Sequence, residues 1–222
     1  MACTKKEVPQ PINLGLEYYP KTIGKFVEYD IDSTVYRDLP LSSTNYKYRI
    51  KEKIVSVFTD NEGKEALRIE RYIKWHRADK SYDSIPYTIK EVWMANATDK
   101  SVEVSEGNIR YTKLIFPIQE NAVWNGNARN SLGEWKYTYD YFDRLETIGN
   151  LILDKVLQVI QKQDKTLISE QYYTEKYAKG AGLVYREIRD IYSNTVVPGV
   201  PLEQRIETGV IYKQTIVNYG YE

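Results

Sequence analysis

Apolar side chains recur at every second position along most of this chain. In 206–217, for example, Ile206, Val210 and Ile216 fall in one row, and the residues between them form a second row. Successive side chains of a β-strand point to opposite faces, so this period predicts strands that turn one face toward a core. The same alternation recurs at 46–53, 67–75 and 137–141.

Short polar turns separate these stretches. They are rich in Asn, Asp and Gly and lie at 60–63, 96–99, 106–108, 125–127, 180–182 and 198–199. Parallel strands need crossovers of about a dozen residues or more, so turns this short predict an antiparallel meander. We predict strands near 23–30, 46–58, 65–75, 86–94, 101–105, 109–116, 135–142, 151–161, 166–178, 183–192 and 205–217. This number of strands predicts an all-β fold with little or no helix, arranged as a barrel, a curved half-barrel or a sandwich.

One segment, 151–160, fits two periods. Its apolar residues at i, i+1, i+4, i+5 and i+8 would also suit a helix. Ile152, Val156, Val159 and Ile160 are β-branched, however, and such residues favour strands. We therefore predict a strand, with a helix as the alternative.

The composition sets several function classes aside. The 31 Lys and Arg residues balance 31 Asp and Glu residues, which leaves no net field to draw the protein to nucleic acid or to an anionic membrane surface. The chain has one cysteine, Cys3, and one histidine, His76, too few for an internal disulfide or a Cys/His zinc cluster. We predict no metal, no cofactor and no nucleic-acid partner.

The amino terminus predicts a location. Ala2 and Cys3 precede a polar, lysine-bearing stretch that prolines interrupt, an order typical of a bacterial lipoprotein whose signal peptide has been removed. We predict that a lipid on Cys3 anchors the protein in the cell envelope, in the periplasm or at the outer membrane. Residues 1–16 would then be a flexible tether and 17–222 a single all-β domain. The alternative is an incidental cysteine on a frayed terminus.

Three groups of motifs carry a family resemblance. They are YYP (18–20) with GKFVEY (24–29), FPI (116–118) with WNGN (124–127), and YAKGAGLVYRE (177–187). In order and spacing the chain resembles a group of uncharacterised secreted lipoproteins of Bacteroidetes-type Gram-negative bacteria. The resemblance implies an all-β envelope lipoprotein with Cys3 as the lipid attachment site, and it implies no catalytic or ligand-binding residue.

The candidate ligand site is a set of aromatic and amide side chains on one stretch of the chain. Its members are Trp124, Asn125, Trp135, Tyr137, Tyr139 and Tyr141. Tyrosines on one strand face, with a tryptophan at the start of the row, are typical of sugar-binding platforms and protein interfaces. The other interpretation, and the favoured one, is ordinary sheet packing. In that case the Asn-Gly pair forms a two-residue turn with positive φ, and Trp124 seals the core edge.

Other motifs point to structure. His76 lacks a nucleophile and an orienting carboxylate in any recognisable pattern, so we predict a surface residue. The basic row of Lys47, Arg49, Lys51 and Lys53 is either the solvent face of an amphipathic strand or an anion-binding stripe, and the solvent face is favoured.

The first functional hypothesis is a non-enzymatic envelope protein that uses a concave face or rim to bind a small apolar molecule, a lipid, a glycan or another envelope protein. A glycan-acting hydrolase is an alternative, which requires two facing carboxyl groups, one with a raised pKa. The other alternative is a structural or assembly subunit, which requires an exposed apolar patch.

We expect the protein to carry a diacylglyceryl group on Cys3 when a Gram-negative host secretes it behind a lipoprotein signal peptide. Mass spectrometry of the amino-terminal peptide measures this group, and Cys3→Ser should lack both the added mass and the membrane association. An unmodified Cys3 in the membrane-expressed protein would contradict the prediction.

Overall fold

In the computed structural model, which describes residues 13–222, every strand belongs to one antiparallel sheet of 12 strands. The strands are β1 (Lys25–Asp38), β2 (Leu41–Thr59), β3 (Glu65–Trp75), β4 (Thr88–Ala97), β5 (Ser101–Glu106), β6 (Ile109–Ile115), β7 (Val123–Asn125), β8 (Lys136–Ile148), β9 (Leu151–Lys165), β10 (Ser169–Ala178), β11 (Gly182–Tyr192) and β12 (Thr208–Tyr221). Within the described range, helix is confined to three 3-10 turns at Leu16–Tyr18, Tyr82–Ser84 and Leu202–Gln204. Cys3 lies outside the described residues.

The predicted all-β class is confirmed. All eleven predicted strands are present, and 151–160 is part of strand β9 rather than a helix. Among residues 13–222, no helix has the length and apolar character needed to span a membrane. The prediction missed β7, because three residues are too short to show an alternation.

The sheet curls into a nearly closed barrel. Except for β6 and β7, strands that are consecutive in sequence pair with each other, and β1 also pairs with β12, which brings the first and last strands together. The free edges, β6 and β7, meet at a seam. There the Thr112 N–H donates to the Gly126 carbonyl at 2.8 Å, and Trp124 Nε1 donates to the Thr112 carbonyl at 2.8 Å. The barrel is therefore the correct choice among the three predicted architectures.

Gly126 does not have the positive φ that we predicted for an Asn-Gly turn. Its N–H donates to the Trp135 carbonyl at 2.8 Å, so its backbone is bonded on both sides of the seam. A Cβ at this position would lie 2.2 Å from Cζ of Tyr137. Glycine is required because the Tyr137 ring packs against its Cα, so the two-residue turn is wrong.

The barrel interior alternates between apolar and charged layers. On β2, Glu52 lies between the buried Ile50 and Ile54, and on β3, Arg71 lies two positions from the buried Ile69. Every second residue of a strand faces inward, so these charged side chains share the interior with the isoleucines. Arg71 Nε donates to Glu52 at 2.9 Å, which offsets the burial of both charges.

Trp124 packs into the seam. It is 8% exposed, its ring lies tilted against Tyr139 at 4.6 Å between centroids, and its edge meets Tyr137 at 5.8 Å. Trp124 therefore packs β7 against β8 while its indole N–H bonds to β6.

We expect Trp124→Ala to lower the free energy of unfolding by about 3–5 kcal/mol. The substitution leaves a cavity at the seam and removes the hydrogen bond from the indole on β7 to the Thr112 carbonyl on β6. Trp75→Ala is the matched control. Trp75 is 53% exposed and contacts Tyr48, so its loss should cost at most about 1.5 kcal/mol. Chemical denaturation measures both values, and equal values would contradict this role of Trp124.

Candidate functional site

A cavity of about 420 Å³, here called the barrel cavity, lies between the β7–β8 loop and the inward faces of several strands. Its lining combines aromatic, charged and amide side chains: Glu106, Tyr111, Lys113, Asn127, Leu132, Gly133, Trp135, Tyr137, Gln161, Tyr173, Glu175, Arg186 and Ile188. The strands supply the buried side chains, and the loop supplies one side of the mouth. The rigid sheet therefore fixes the polar groups of the cavity.

Four charged side chains on one wall of the cavity form what we call the charge quartet: Glu106, Lys113, Glu175 and Arg186. Lys113 Nζ lies 2.9 Å from a carboxylate oxygen of each glutamate. Arg186 bridges the same two carboxylates, at 2.8 Å from Glu106 and 2.7 Å from Glu175. Two positive and two negative charges alternate, so the quartet is neutral.

The quartet joins strands that lie far apart in the sheet order. Glu175 of β10 and Arg186 of β11 are direct cross-strand partners. Glu106 ends β5 and Lys113 lies on β6, on the other side of the β6–β7 seam. The side chain of Glu175 is 1% exposed and that of Lys113 is 6% exposed. Pairs this deeply buried are screened little by salt, so they connect the two halves of the barrel through its interior.

Both glutamates of the quartet are held ionised. Burial alone would raise the pKa of Glu106, but the charges of Arg186 and Lys113 and their hydrogen bonds outweigh it and bring that pKa to about 2. For Glu175, burial is likewise outweighed by Lys113 and Arg186, so its pKa lies below its ordinary value. The Tyr177 hydroxyl also donates to Glu175 at 2.6 Å. Neither carboxyl group therefore holds a proton at neutral pH.

Aromatic rings form the wall of the cavity nearest the loop. Trp135 and Tyr173 meet edge to face at 4.9 Å between ring centroids. The Tyr173 hydroxyl donates to Asp190 at 2.7 Å, which fixes its ring. Tyr111 and Tyr137 complete this wall. The cavity thus offers apolar ring surface beside a strongly polar wall.

Gln161 carries an unsatisfied polar group in the cavity. It is 7% exposed, and its amide nitrogen is buried without a hydrogen-bond partner among the residues that the structure describes. Nε of Arg186, another lining residue, is also buried and unpartnered within residues 13–222. A buried polar group without a partner costs about 1–3 kcal/mol, and most such groups in proteins are bonded. The cavity therefore holds hydrogen-bonding capacity that the described protein leaves unused.

Two of the six predicted site residues, Trp135 and Tyr137, line this cavity. Trp124 packs behind Tyr137 in the seam, as described above. The Asn125 side chain accepts the backbone N–H groups of Asn127 at 2.9 Å and of Trp135 at 3.2 Å. Asn125 therefore shapes the loop that carries Trp135.

The tyrosine row does not form one platform. The Tyr139 hydroxyl donates to the Ile115 carbonyl at 2.6 Å, which ties β8 to β6. The Tyr141 hydroxyl donates to Glu146, and its ring packs against a second apolar cluster. Only Tyr137 of the three lines the cavity.

Among the cavity residues that the sequence analysis did not identify, five are charged or amide side chains on strands: Glu106, Lys113, Gln161, Glu175 and Arg186. Each is a polar residue at an inward strand position. Arg186, for example, lies two positions beyond the fully buried Val184, so the two side chains share a face. These residues could have been identified from the sequence, because each charged or amide side chain lies two positions from an apolar residue predicted to face the core.

The remaining sequence candidates lie on the outer surface. His76 is exposed and meets the Tyr82 ring edge to face. The basic row of β2 pairs with carboxylates: Lys47 with Asp32, Arg49 with Asp30, and both Lys51 and Lys53 with Glu222. This row is therefore neutralised and gives no free anion-binding stripe. Within the described range, no three His, Cys, Asp or Glu residues are grouped to hold a metal ion.

No protein-family model and no curated protein matches the chain. Among solved structures, it is similar to a candidate lipoprotein from Parabacteroides distasonis, with 12% identity over 91% of this chain and 98% of the other and a TM-score of 0.39. A candidate exported protein with a YmcC-like fold from Bacteroides fragilis is 10% identical over 91% and 98% of the two chains, with a TM-score of 0.43. A candidate outer-membrane lipoprotein-sorting protein domain from Vibrio parahaemolyticus is 9% identical over 89% and 85%, with a TM-score of 0.20.

These neighbours are described as lipoprotein, exported or lipoprotein-sorting proteins. At such TM-scores the likeness assigns neither a family nor a function to this chain. Membership of the lipoprotein group that the motifs resemble stays a prediction.

The depressed pKa of Glu106 gives the stability a defined pH dependence. Its ionised form stabilises the folded state fully above its ordinary pKa of 4.5, and that contribution is lost as the pH falls toward 2. We expect Glu106→Gln to lower the free energy of unfolding at pH 7 by about 3–5 kcal/mol, because the Lys113 and Arg186 charges lose a partner. The slope of stability against pH between 4.5 and 2 should also flatten.

Glu120→Gln is the matched control for this experiment, because Glu120 is exposed in a loop. Denaturant unfolding at a series of pH values measures the free energy of unfolding of the native protein and of both variants. A Glu106→Gln curve that runs parallel to that of the native protein between pH 4.5 and 2 would contradict the depressed pKa.

Proposed function

We propose that this protein is a non-enzymatic binding protein of the cell envelope that holds a small ligand in the barrel cavity. The observation that carries the proposal is the cavity itself, about 420 Å³ in volume, whose lining combines aromatic rings with buried polar groups. Pockets for small molecules have volumes of roughly 300–1,000 Å³ and combine apolar walls with a few fixed polar groups.

The proposed location rests on the amino terminus. A lipid on Cys3 would anchor the barrel to the membrane through the polar tether, in the periplasm or at the outer membrane. A lipid anchor needs no basic protein surface, so it is compatible with the zero net charge of the chain.

The charge state of the cavity disfavours the alternative of a glycan-acting hydrolase. Glu106 and Glu175 do face each other across Lys113 and Arg186, as a pair of catalytic carboxyl groups would. A glycosidase requires that one of the two carry a proton at working pH, so its pKa must be raised. Both pKa values are lowered instead, which supports a role in binding.

One observation favours the alternative of an assembly subunit. Leu145 on β8 and Ile152 on β9 are 68% and 75% exposed. Ile152 pairs with Thr147, so Leu145 is its diagonal neighbour on the same face of the sheet. Apolar side chains exposed side by side are a feature of protein contact surfaces, and a contact there would be compatible with a ligand in the cavity.

Native mass spectrometry of protein purified from the envelope of its host tests the binding proposal. We expect a non-covalent small molecule that dissociates on unfolding. Gly133→Trp should abolish the added mass. Gly133 lines the cavity, and beyond its chain neighbours no atom of residues 13–222 lies within 4 Å of the position of a Cβ there, so the indole ring can occupy the space that the ligand needs.

Ser131→Trp is the matched control, since Ser131 lies on the same loop, is exposed and does not line the cavity. It should retain the ligand. If the native protein carries no added mass, or if both variants keep it equally, the proposed binding in this cavity is wrong.

A further inference from the structure

The chemistry of the cavity wall selects among ligand classes. We infer that the barrel cavity binds a neutral, hydroxyl-rich ring, namely a carbohydrate of one or two sugar units. This inference rests on the proposed binding function and adds the class of ligand. Its evidence is the neutral charge quartet, the unpartnered Gln161 amide and the aromatic wall.

The quartet argues for a neutral ligand. Among residues 13–222, the charged side chains that line the cavity are the four members of the quartet, and their charges sum to zero. Each carboxylate already accepts hydrogen bonds or ion pairs from both Lys113 and Arg186. A charged ligand would enter this partly desolvated space without a free countercharge, or would have to break a buried pair. A neutral ligand meets neither cost.

Gln161 argues for hydroxyl groups. A primary amide has two N–H donors and one carbonyl acceptor, and the amide nitrogen of Gln161 is buried without a hydrogen-bond partner in the part of the chain that is described. A sugar hydroxyl oxygen can accept a hydrogen bond from this buried amide nitrogen. A purely apolar ligand, such as an acyl chain, would cover the amide and leave it unbonded.

The aromatic wall argues for a ring. Trp135, Tyr137 and Tyr111 line the same cavity as the quartet, and the Tyr111 ring centroid lies 5.0 Å from Lys113 Nζ. A pyranose carries hydroxyl groups around its edge and C–H groups on its faces, so it can pack a face on aromatic rings while its edge bonds to polar groups. This combination matches a cavity in which aromatic rings and buried polar side chains lie side by side.

Isothermal titration calorimetry with a defined sugar panel tests the inference. The neutral probes are glucose, galactose, mannose, N-acetylglucosamine, cellobiose and chitobiose, and the charged probes are glucuronate and glucosamine. We expect saturable binding of at least one neutral sugar, and at least tenfold weaker binding of glucuronate and glucosamine than of that sugar.

Gln161→Leu should lower the affinity for the sugar about tenfold, because the substitution removes a buried hydrogen-bonding group while filling a similar volume. Gln119→Leu is the matched control, since Gln119 is exposed in a loop outside the cavity and its loss should leave affinity unchanged. Trp135→Ala supplies a second variant, which removes ring surface at the partly exposed mouth and should also weaken binding. The melting temperature of each variant establishes that it is folded.

The measurements distinguish a wrong ligand class from a wrong binding function. If no neutral sugar binds but laurate does, the sugar class is wrong and the binding function stands. If a charged probe binds more tightly than its neutral counterpart, or if folded Gln161→Leu binds as tightly as the native protein, the inference is also overturned. If no probe binds and native mass spectrometry finds no ligand, the proposed function itself fails.

Discussion

Four buried charged side chains join the two sides of the barrel seam. The sheet has free edges at β6 and β7, and few backbone hydrogen bonds cross the seam between them. Glu106 and Lys113 on one side of this seam pair with Glu175 and Arg186 on the other, through the barrel interior. Four buried charges are tolerable only when every one has partners, so this wall of the barrel is fixed in position. The same fixed wall forms the polar side of the cavity.

Stability and binding are therefore coupled in this barrel. The side chains that connect β5 and β6 to β10 and β11 cannot be moved for the benefit of a ligand without a cost to folding. A ligand that satisfies Gln161 and leaves the quartet intact adds its binding free energy to the stability of the folded state. A binding site built this way is preorganised, because its polar groups are held in place before the ligand arrives.

Most of the fold could be predicted from sequence, because the period of two depends only on local backbone geometry. The alternation located eleven strands and decided correctly that 151–160 is a strand. It could not locate β7, which is defined by its pairing with β8 rather than by its own pattern. Gly126 shows the same limit. Asn-Gly is typical of turns, but glycine is needed at position 126 because the ring of Tyr137, on the next strand, packs against it. The site was harder to predict, because Arg186 and Glu175 look like surface charges until the pairing across the barrel is known.

We propose that the barrel cavity holds a small hydroxyl-bearing molecule against Gln161 and the neutral quartet. A high-resolution electron-density map of protein purified from the cell envelope tests this binding. We predict ring-shaped density between Trp135 and Gln161, with ligand oxygens within hydrogen-bond distance of the Gln161 amide. A cavity that contains only water or an acyl chain in such a map would contradict the claim.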